Sequence, residues 1–194
     1  MAKHKGLSFY EKKKKISKGM VREIFSVIFF CFAAILLAFV IVISFGLKTS
    51  VIGVSMEPSL SNGQTVFIDR FIYKLISPKR GDVIVFLPNG NTNSHDYQKR
   101  VVALPGEKVQ IIGGYVYVDG MMLDEDETLN KIADPGIAEA EITLGPDEFF
   151  VLGDNRNNSE DSRSGNIGPV KRGNIIGKAW FHLSGSEDGW GFVK

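Results

Sequence analysis

The sequence predicts a mostly β protein, in which an antiparallel domain of coiled, barrel-like sheets follows a single N-terminal transmembrane helix. Two observations support this prediction. Residues 24–47 form one uncharged and almost wholly apolar run, whereas after it the apolar residues occur in short runs separated by turn signals. The chain has 194 residues and one cysteine, which excludes a large multidomain enzyme and an internal disulfide framework.

The apolar run is long enough to cross a membrane. It reads IFSVIFFCFAAILLAFVIVISFGL, and as a helix it spans roughly 36 Å at ~1.5 Å per residue, against a hydrocarbon core of ~30 Å. A buried core helix and a cleaved secretory signal are the alternatives. The run exceeds the usual ~7–15 apolar residues of a signal, and Phe45-Gly46-Leu47-Lys48 contains no A-x-A cleavage site. The segment 24–47 is therefore predicted to be a retained anchor.

The charge distribution predicts the orientation of this anchor. Residues 1–23 carry eight basic and two acidic side chains, whereas residues 24–194 carry 15 basic and 20 acidic ones. Positive charge beside a span stays in the cytoplasm, so we expect a cytoplasmic segment 1–23 and an extracytoplasmic domain 48–194. The same basic cluster can bind anionic headgroups, which makes membrane lipid an expected partner.

The domain 48–194 shows the pattern of an antiparallel β protein. Turn signals such as Asn62-Gly63 and Asp119-Gly120 stand between β-branched or aromatic runs, which indicates hairpins. No long helical pattern competes with this interpretation. The predicted strands are 65–68, 83–87, 101–102, 109–112, 115–118, 149–152 and 175–181.

Four segments of the domain differ from ordinary scaffold. Taken singly, each has an ordinary explanation, such as a turn serine, a strand lysine or a polar loop. They are GVSMEPSL from Gly53, GDVIVF from Gly81, YQKRVVALPGE from Tyr97 and GDNRNNSEDSR from Gly153. Together and in this order they resemble the membrane-bound type I signal peptidases, or leader peptidases, which carry SMxPTL, GDxVxF, KRVxGxPG and GDNRxxSxDSR boxes. The single span and short loops resemble the compact Gram-positive form.

The resemblance implies a serine endopeptidase at the bacterial cell membrane that cuts secretory preproteins after small residues in an A-x-A pattern. It assigns Ser55 as the nucleophile, Lys99 as the general base and Ser159 as the residue that hydrogen-bonds the lysine amine. It implies no metal, no other cofactor and no nucleic acid partner. Four residues are expected by position to line the substrate pockets: Val51, Met56, Leu60 and Tyr97. Five are expected to support the site, the last two as an ion pair: Asp154, Asn155, Arg156, Asp161 and Arg163.

The chemistry sets a condition on Lys99. An ordinary lysine has a pKa near ~10.4, so it must be lowered by roughly 3 units to accept a proton at neutral pH. Burial disfavours the charged ammonium and would achieve this. Lys99 lies in a strand-like run before Val101 and Val102, and alternation places Arg100 on the opposite strand face.

Departures from the family pattern and rival interpretations complete the sequence-based hypothesis. Gly53 stands where some members carry a serine that adds a second oxyanion donor, and Gln98 stands where an apolar residue is usual.

A Ser-His-Asp hydrolase would use His95, and a self-cleaving repressor would need a DNA-binding domain where the span stands. A catalytically silent, membrane-anchored assembly or binding relative would be expected to lack Ser55 or Lys99.

Overall fold

A computed structural model describes residues 18–45, 47–126, 129–183 and 189–193. The chain divides into two compact units, Met1–Val40 and Ile41–Lys194. The predicted basic segment lies, up to residue 17, outside the described residues.

The first unit contains most of one long helix, α1 (Lys18–Phe45). Its part Lys18–Val40 is long and apolar enough to cross a membrane, and its apolar window is wholly unburied. Large side chains such as Phe29 and Phe30 are about two thirds exposed. Helix α1 therefore presents apolar surface all round, as a lipid-facing helix does.

The second unit is built almost entirely from short antiparallel strands. Among the described residues, four short helical elements interrupt them: one turn of α-helix, α2 (Ile72–Leu75), and 3-10 turns at Pro88–Gly90, Gly136–Glu139 and Arg172–Asn174. The strands are β1 (Leu47–Ser50), β2 (Thr65–Asp69), β3 (Val83–Phe86), β4 (Tyr97–Ala103), β5 (Lys108–Ile112), β6 (Tyr115–Val118), β7 (Met121–Met122), β8 (Ile142–Thr143), β9 (Glu148–Leu152), β10 (Val170–Lys171), β11 (Ile175–Leu183) and β12 (Gly191–Phe192).

These strands form two antiparallel sheets. The larger has the order β1-β2-β11-β3-β4-β9-β10, with β12 paired to β11, and the smaller has the order β7-β6-β5-β8. Register shifts interrupt the pairing of β11 with both β2 and β3, and that of β4 with β9. Such irregularities increase local twist and bend a sheet. The mostly β, antiparallel fold class predicted from the sequence is confirmed, together with its single long N-terminal helix.

The core of the larger sheet surrounds the strands that hold the candidate site. All four residues of β3 are buried, and β4 is buried along most of its length. Val83 and Val85 pack on one side with residues of the β1–β2 connection, whereas Ile84 and Phe86 pack on the other with β9. The C-terminal half of β4 joins the apolar core, because Val101 packs with Ile84 and Phe86, whereas Val102 and Ala103 pack with residues of the smaller sheet.

One glycine in this sheet is required by close packing. A Cβ on Gly177 would lie 2.5 Å from the Asp69 carbonyl oxygen and 2.7 Å from Ile68 Cγ2, on the neighbouring strand β2. Gly177→Ala is therefore expected to destabilise the domain by about 1–3 kcal/mol, the usual cost of overpacking, as measured by thermal unfolding. Gly173→Ala is the control, because its Cβ would meet no atom within 4 Å. Equal melting temperatures for the two variants would contradict the prediction.

Candidate active site

Ser55 lies in the connection 51–64 between β1 and β2. The two ends of this connection are tied together, because the Val51 N–H donates to the Gln64 carbonyl at 2.8 Å and the Gly63 N–H donates to the Val51 carbonyl at 2.8 Å. At Gly53 the backbone has φ +87°, a left-handed conformation that favours glycine. The Gly53 N–H donates to Asn62 Oδ1 at 2.9 Å, which secures the turn before the serine.

The loop after β9 holds the backbone of Ser55 from the other side. The Asn155 N–H donates to the Ser55 carbonyl at 3.0 Å, and Asn155 Nδ2 donates to the Val54 carbonyl at 3.1 Å. The Ser55 N–H, by contrast, makes no hydrogen bond to any residue that the structure describes. The Ser55 N–H can therefore donate to a ligand that is bound at the half-buried Ser55 hydroxyl.

Lys99 lies in the middle of β4, opposite Ile84 of β3. The residue is only 3% exposed, and its Nζ lies 2.7 Å from Ser55 Oγ, within hydrogen-bonding distance. The same Nζ lies 5.2 Å from the centre of the Tyr97 ring. The strand thus brings a buried amine to the serine hydroxyl from 44 positions further along the chain.

Burial lowers the pKa of Lys99 to about 8, because it disfavours the charged ammonium. The carboxylates of Asp161, Glu160 and Asp154 oppose this shift, and the Arg163 guanidinium adds to it. Arg100 lies on the other face of β4, where it makes two bonds to Asp154, at 2.8 and 2.6 Å. Lys99 is therefore neutral in a substantial fraction of molecules near pH 8.

Two further ion pairs, one buried and one partly buried, organise the loop after β9. Arg163 binds both carboxylate oxygens of Asp161 at 2.8 Å. Burial alone would raise the pKa of Asp161, but the hydrogen bonds and charge of Arg163 and the Gly153 N–H hold it below its ordinary value. Arg156, 2% exposed, makes two bonds to Glu125, at 2.7 and 2.6 Å, and its Nε donates to the Gly153 carbonyl at 3.1 Å.

Ser159 is in this loop, but the expected hydrogen bond to the Lys99 amine is not formed. Its Oγ is shielded from solvent and has no hydrogen-bond partner of good geometry among the described residues. It is close enough to Asp161 to contribute to the lowered pKa of that carboxyl. Ser159 Oγ instead packs against Gly153 and faces the Asp161 carboxyl, whereas Lys99 Nζ contacts Ser55 Oγ.

Ser55 and Lys99 open into a cleft of about 240 Å³, which we call the Ser55 cleft. Of the residues expected to line substrate pockets, Tyr97 borders it. Val51, Met56 and Leu60 are buried in the core at 0–2% exposure, so they present little surface here and their binding role stays a prediction. The residues that line the Ser55 cleft are Ile52, Ser55, His95, Asp96, Tyr97, Gln98, Lys99 and Glu160.

His95 borders the Ser55 cleft but is exposed. Across the described ranges, Ser55 Oγ is hydrogen-bonded by Lys99 and not by His95. The arrangement is thus a serine hydroxyl held against a buried lysine amine, beside a free backbone N–H and an open cleft. This set of groups is typical of serine hydrolases in which a lysine stands where others use histidine.

Comparison with known families gives the particular family within this class. The family model described as "Signal peptidase, peptidase S26" matches residues 24–184. The chain therefore belongs to the signal peptidase family of S26 peptidases.

Individual relatives agree with this assignment. The chain is 41% identical to the probable signal peptidase I-2 of Synechocystis sp. over 65% of its own length and 57% of that protein. It is 40% identical to the signal peptidase I of Leptolyngbya laminosa over 64% of this chain and 62% of that protein, so it spans about three fifths of these two relatives. It is also 33% identical to the signal peptidase I P of Bacillus subtilis subsp. natto, over 64% of this chain and 70% of that protein. A crystal structure of a signal peptidase I from Enterococcus faecalis V583 matches 53% of this chain and 97% of that chain, at 30% identity and a TM-score of 0.41.

Proposed function

We propose that this chain is a membrane-anchored serine endopeptidase that removes signal peptides from secretory preproteins. Ser55 is the nucleophile and Lys99 is the general base. The observation that carries the proposal is the 2.7 Å contact between Ser55 Oγ and the Nζ of a lysine that is 3% exposed. Family membership and relatives named signal peptidase I support the same substrate class.

In the first half of the reaction, neutral Lys99 accepts the hydroxyl proton as Ser55 Oγ attacks the carbonyl carbon of the scissile peptide. The tetrahedral intermediate places negative charge on the former carbonyl oxygen, and the free Ser55 N–H donates to it. When the intermediate collapses, the C–N bond breaks and the leaving amine takes the proton from the Lys99 ammonium. The signal peptide then remains as an ester on Ser55.

In the second half, a water molecule attacks this ester while Lys99 accepts one of its protons. Collapse of the second intermediate breaks the C–O bond and returns that proton to Ser55 Oγ. Both steps need an uncharged amine at their start, so the low pKa of Lys99, about 8, is a condition of catalysis. Neither step calls for a metal or another cofactor.

The remaining residues predicted from the resemblance take supporting roles in this proposal. Asn155 fixes the Ser55 backbone through its two hydrogen bonds, and the Asp161–Arg163 pair fixes the loop that carries Ser159. In this proposal Ser159 Oγ rotates to accept a hydrogen bond from an N–H of the neutral Lys99 amine, which leaves the single lone pair of that amine for the Ser55 proton. Val51, Met56 and Leu60 form the floor beneath pockets that accept only small side chains, and Tyr97 forms a wall.

The proposal includes the membrane anchor and its direction. Helix α1 supplies a candidate span by length and composition, and the basic cluster before residue 24 favours a cytoplasmic N-terminus. The domain 48–194 then faces the extracytoplasmic side, where preproteins emerge, and anionic lipid binds the basic segment 1–23.

Cleavage of a purified preprotein by the full-length chain in detergent tests this function. Wild type is expected to cut after an A-x-A site, as shown by sequencing the new N-terminus of the product. Ser55→Ala is expected to lower kcat/KM by at least about 10³-fold, because it removes the nucleophile. Ser50→Ala is the matched control, since Ser50 is exposed on β1 and its replacement leaves cleavage unchanged.

Two outcomes would contradict the proposal. If His95→Ala abolished cleavage while a Lys99 variant retained it, the base would be the histidine. If wild type cut no preprotein, the alternative of a silent membrane-anchored binding relative would become the leading hypothesis.

A further inference from the structure

The Lys99 amine lies in the field of three carboxylates, and two of them are compensated by a cation. Asp161 binds Arg163, and Asp154 binds Arg100. Glu160 forms no ion pair within the described ranges. Its negative charge therefore acts on Lys99 without a neighbouring counter-charge.

Glu160 is also connected to Lys99 through Tyr97. The Tyr97 hydroxyl donates to Glu160 Oε2 at 3.2 Å, and the face of the same ring lies 5.2 Å from Lys99 Nζ. Burial and the Glu160 carboxylate both raise the pKa of Tyr97, so the hydroxyl keeps its proton and remains a donor. The ring thus bridges the carboxylate at the mouth of the Ser55 cleft and the amine at its base.

We propose that Glu160 and Tyr97 are positioning residues that together set the pH at which the enzyme becomes active. Glu160 accepts the Tyr97 hydroxyl, which holds the aromatic ring against the Lys99 amine. The carboxylate also places an uncompensated negative charge beside that amine and stabilises its protonated, inactive form. This inference rests on the proposed function, because it assigns Lys99 as the general base.

Of the three carboxylates that act on Lys99, Glu160 is the one whose charge can be removed without breaking a buried ion pair. Asp161 and Arg163 are buried together, and Asp154 is held by Arg100, so changing any of them breaks a buried ion pair. His95 and Asp96 line the same cleft, but neither is a cause of the Lys99 shift. Glu160 is exposed and can change without an uncompensated buried charge being left behind.

The test is the pH profile of kcat/KM for preprotein cleavage by wild type and Glu160→Gln. The acidic limb of wild type is expected near pH 8, where Lys99 loses its proton. Removing the charge should move this limb to lower pH by roughly 0.2–0.7 of a unit, the range expected for one exposed charge. Below the limb, the variant is then roughly 1.5- to 5-fold faster than wild type.

Two controls separate this effect from a general change of charge or structure. Glu139→Gln removes the same charge from an exposed residue of the 3-10 turn Gly136–Glu139 and should leave the acidic limb in place. Raising the ionic strength should shrink the difference between wild type and Glu160→Gln, because Glu160 is exposed and salt screens its charge.

The double variant tests the part played by Tyr97. Tyr97→Phe keeps the ring but removes the hydroxyl that binds Glu160, so the ring and the carboxylate are no longer held beside the Lys99 amine. The acidic limb of Tyr97→Phe should therefore also move to lower pH. The limb of Tyr97→Phe/Glu160→Gln should move no further than that of Glu160→Gln alone. An unmoved limb in an active Glu160→Gln enzyme would overturn the inference and leave the proposed function intact. Additive shifts in the double variant would overturn the role of Tyr97.

Discussion

Replacing Lys99 with Met is expected to abolish cleavage and, at the same time, to make the folded domain more stable. Met has a similar length but no amine, so no group remains to take the proton from Ser55. General-base catalysis contributes typically 10²–10⁴-fold, and we expect kcat/KM to fall by at least about 10³-fold. Cleavage assays on the purified full chain give this number directly.

The gain in stability follows from the pKa of Lys99, which burial lowers from 10.5 to about 8. Below pH 8 the amine is charged in both the folded and the unfolded chain, so the folded state bears the cost of a buried charge. At ~1.36 kcal/mol per pKa unit, this cost is about 3–4 kcal/mol at most. Between pH 8 and about 10.5 the folded protein releases its proton before the unfolded chain does, so wild-type stability rises through this window.

Thermal unfolding of wild type and Lys99→Met as a function of pH therefore provides the second measurement. The stability advantage of the variant should be largest below pH 8 and should shrink as the pH approaches 10.5. Lys108→Met is the matched control, because Lys108 is exposed and pairs with Glu141 at the surface, so its replacement leaves both readouts unchanged. A Lys99→Met protein that still cleaves would show that Lys99 is not the base.

The sequence predicts much of this fold because the strongest turn signals stand beside the best-formed strands. The predicted runs 65–68, 109–112 and 115–118 agree with β2, β5 and β6 to within one residue at either end. The two-residue strands β7, β8, β10 and β12 have no pattern of their own, since they exist only through pairing with β6, β5, β9 and β11. Helix α1 begins at Lys18 rather than at residue 24. The prediction uses the apolar run to place the start of the helix, and this criterion misses about the first turn and a half, which contains charged residues.

The part of the candidate site that is predictable from the sequence is the part that lies in ordered motifs. Ser55 and Lys99 were selected by the motifs around them, and their contact required only that the two segments meet. The burial of Val51, Met56 and Leu60 was not predictable, because it depends on how the β1–β2 connection packs against β3 and β11. Glu160 carries no motif signal, and its relation to Lys99 exists only through Tyr97, 63 positions away in the sequence.

Gly153→Ala is expected to cause the second large loss of activity, because no side chain fits between the nucleophile and its supporting loop. A Cβ at residue 153 would lie 2.5 Å from the Ser55 carbonyl oxygen and closer still to Ser159 Oγ. The backbone of Gly153 is outside the left-handed region, so the obstacle is space and not conformation. The same Ser55 carbonyl accepts the Asn155 N–H, and displacing it moves the nucleophile away from Lys99.

A misplacement of about 1 Å at a reacting group can cost about 10²-fold, so we expect kcat/KM for Gly153→Ala to fall by at least that factor. The fold should survive, with a loss of about 1–3 kcal/mol from overpacking, as followed by thermal unfolding of the same samples. Gly165→Ala is the control on the same loop, since the nearest atom to its Cβ would be Ile137 Cγ2 at 4.0 Å. If Gly153→Ala cleaved preprotein at the rate of Gly165→Ala, the close approach of the loop to Ser55 would have no part in positioning the nucleophile. If Gly153→Ala were inactive but folded, the loss would lie in the placement of Ser55 and not in the stability of the domain.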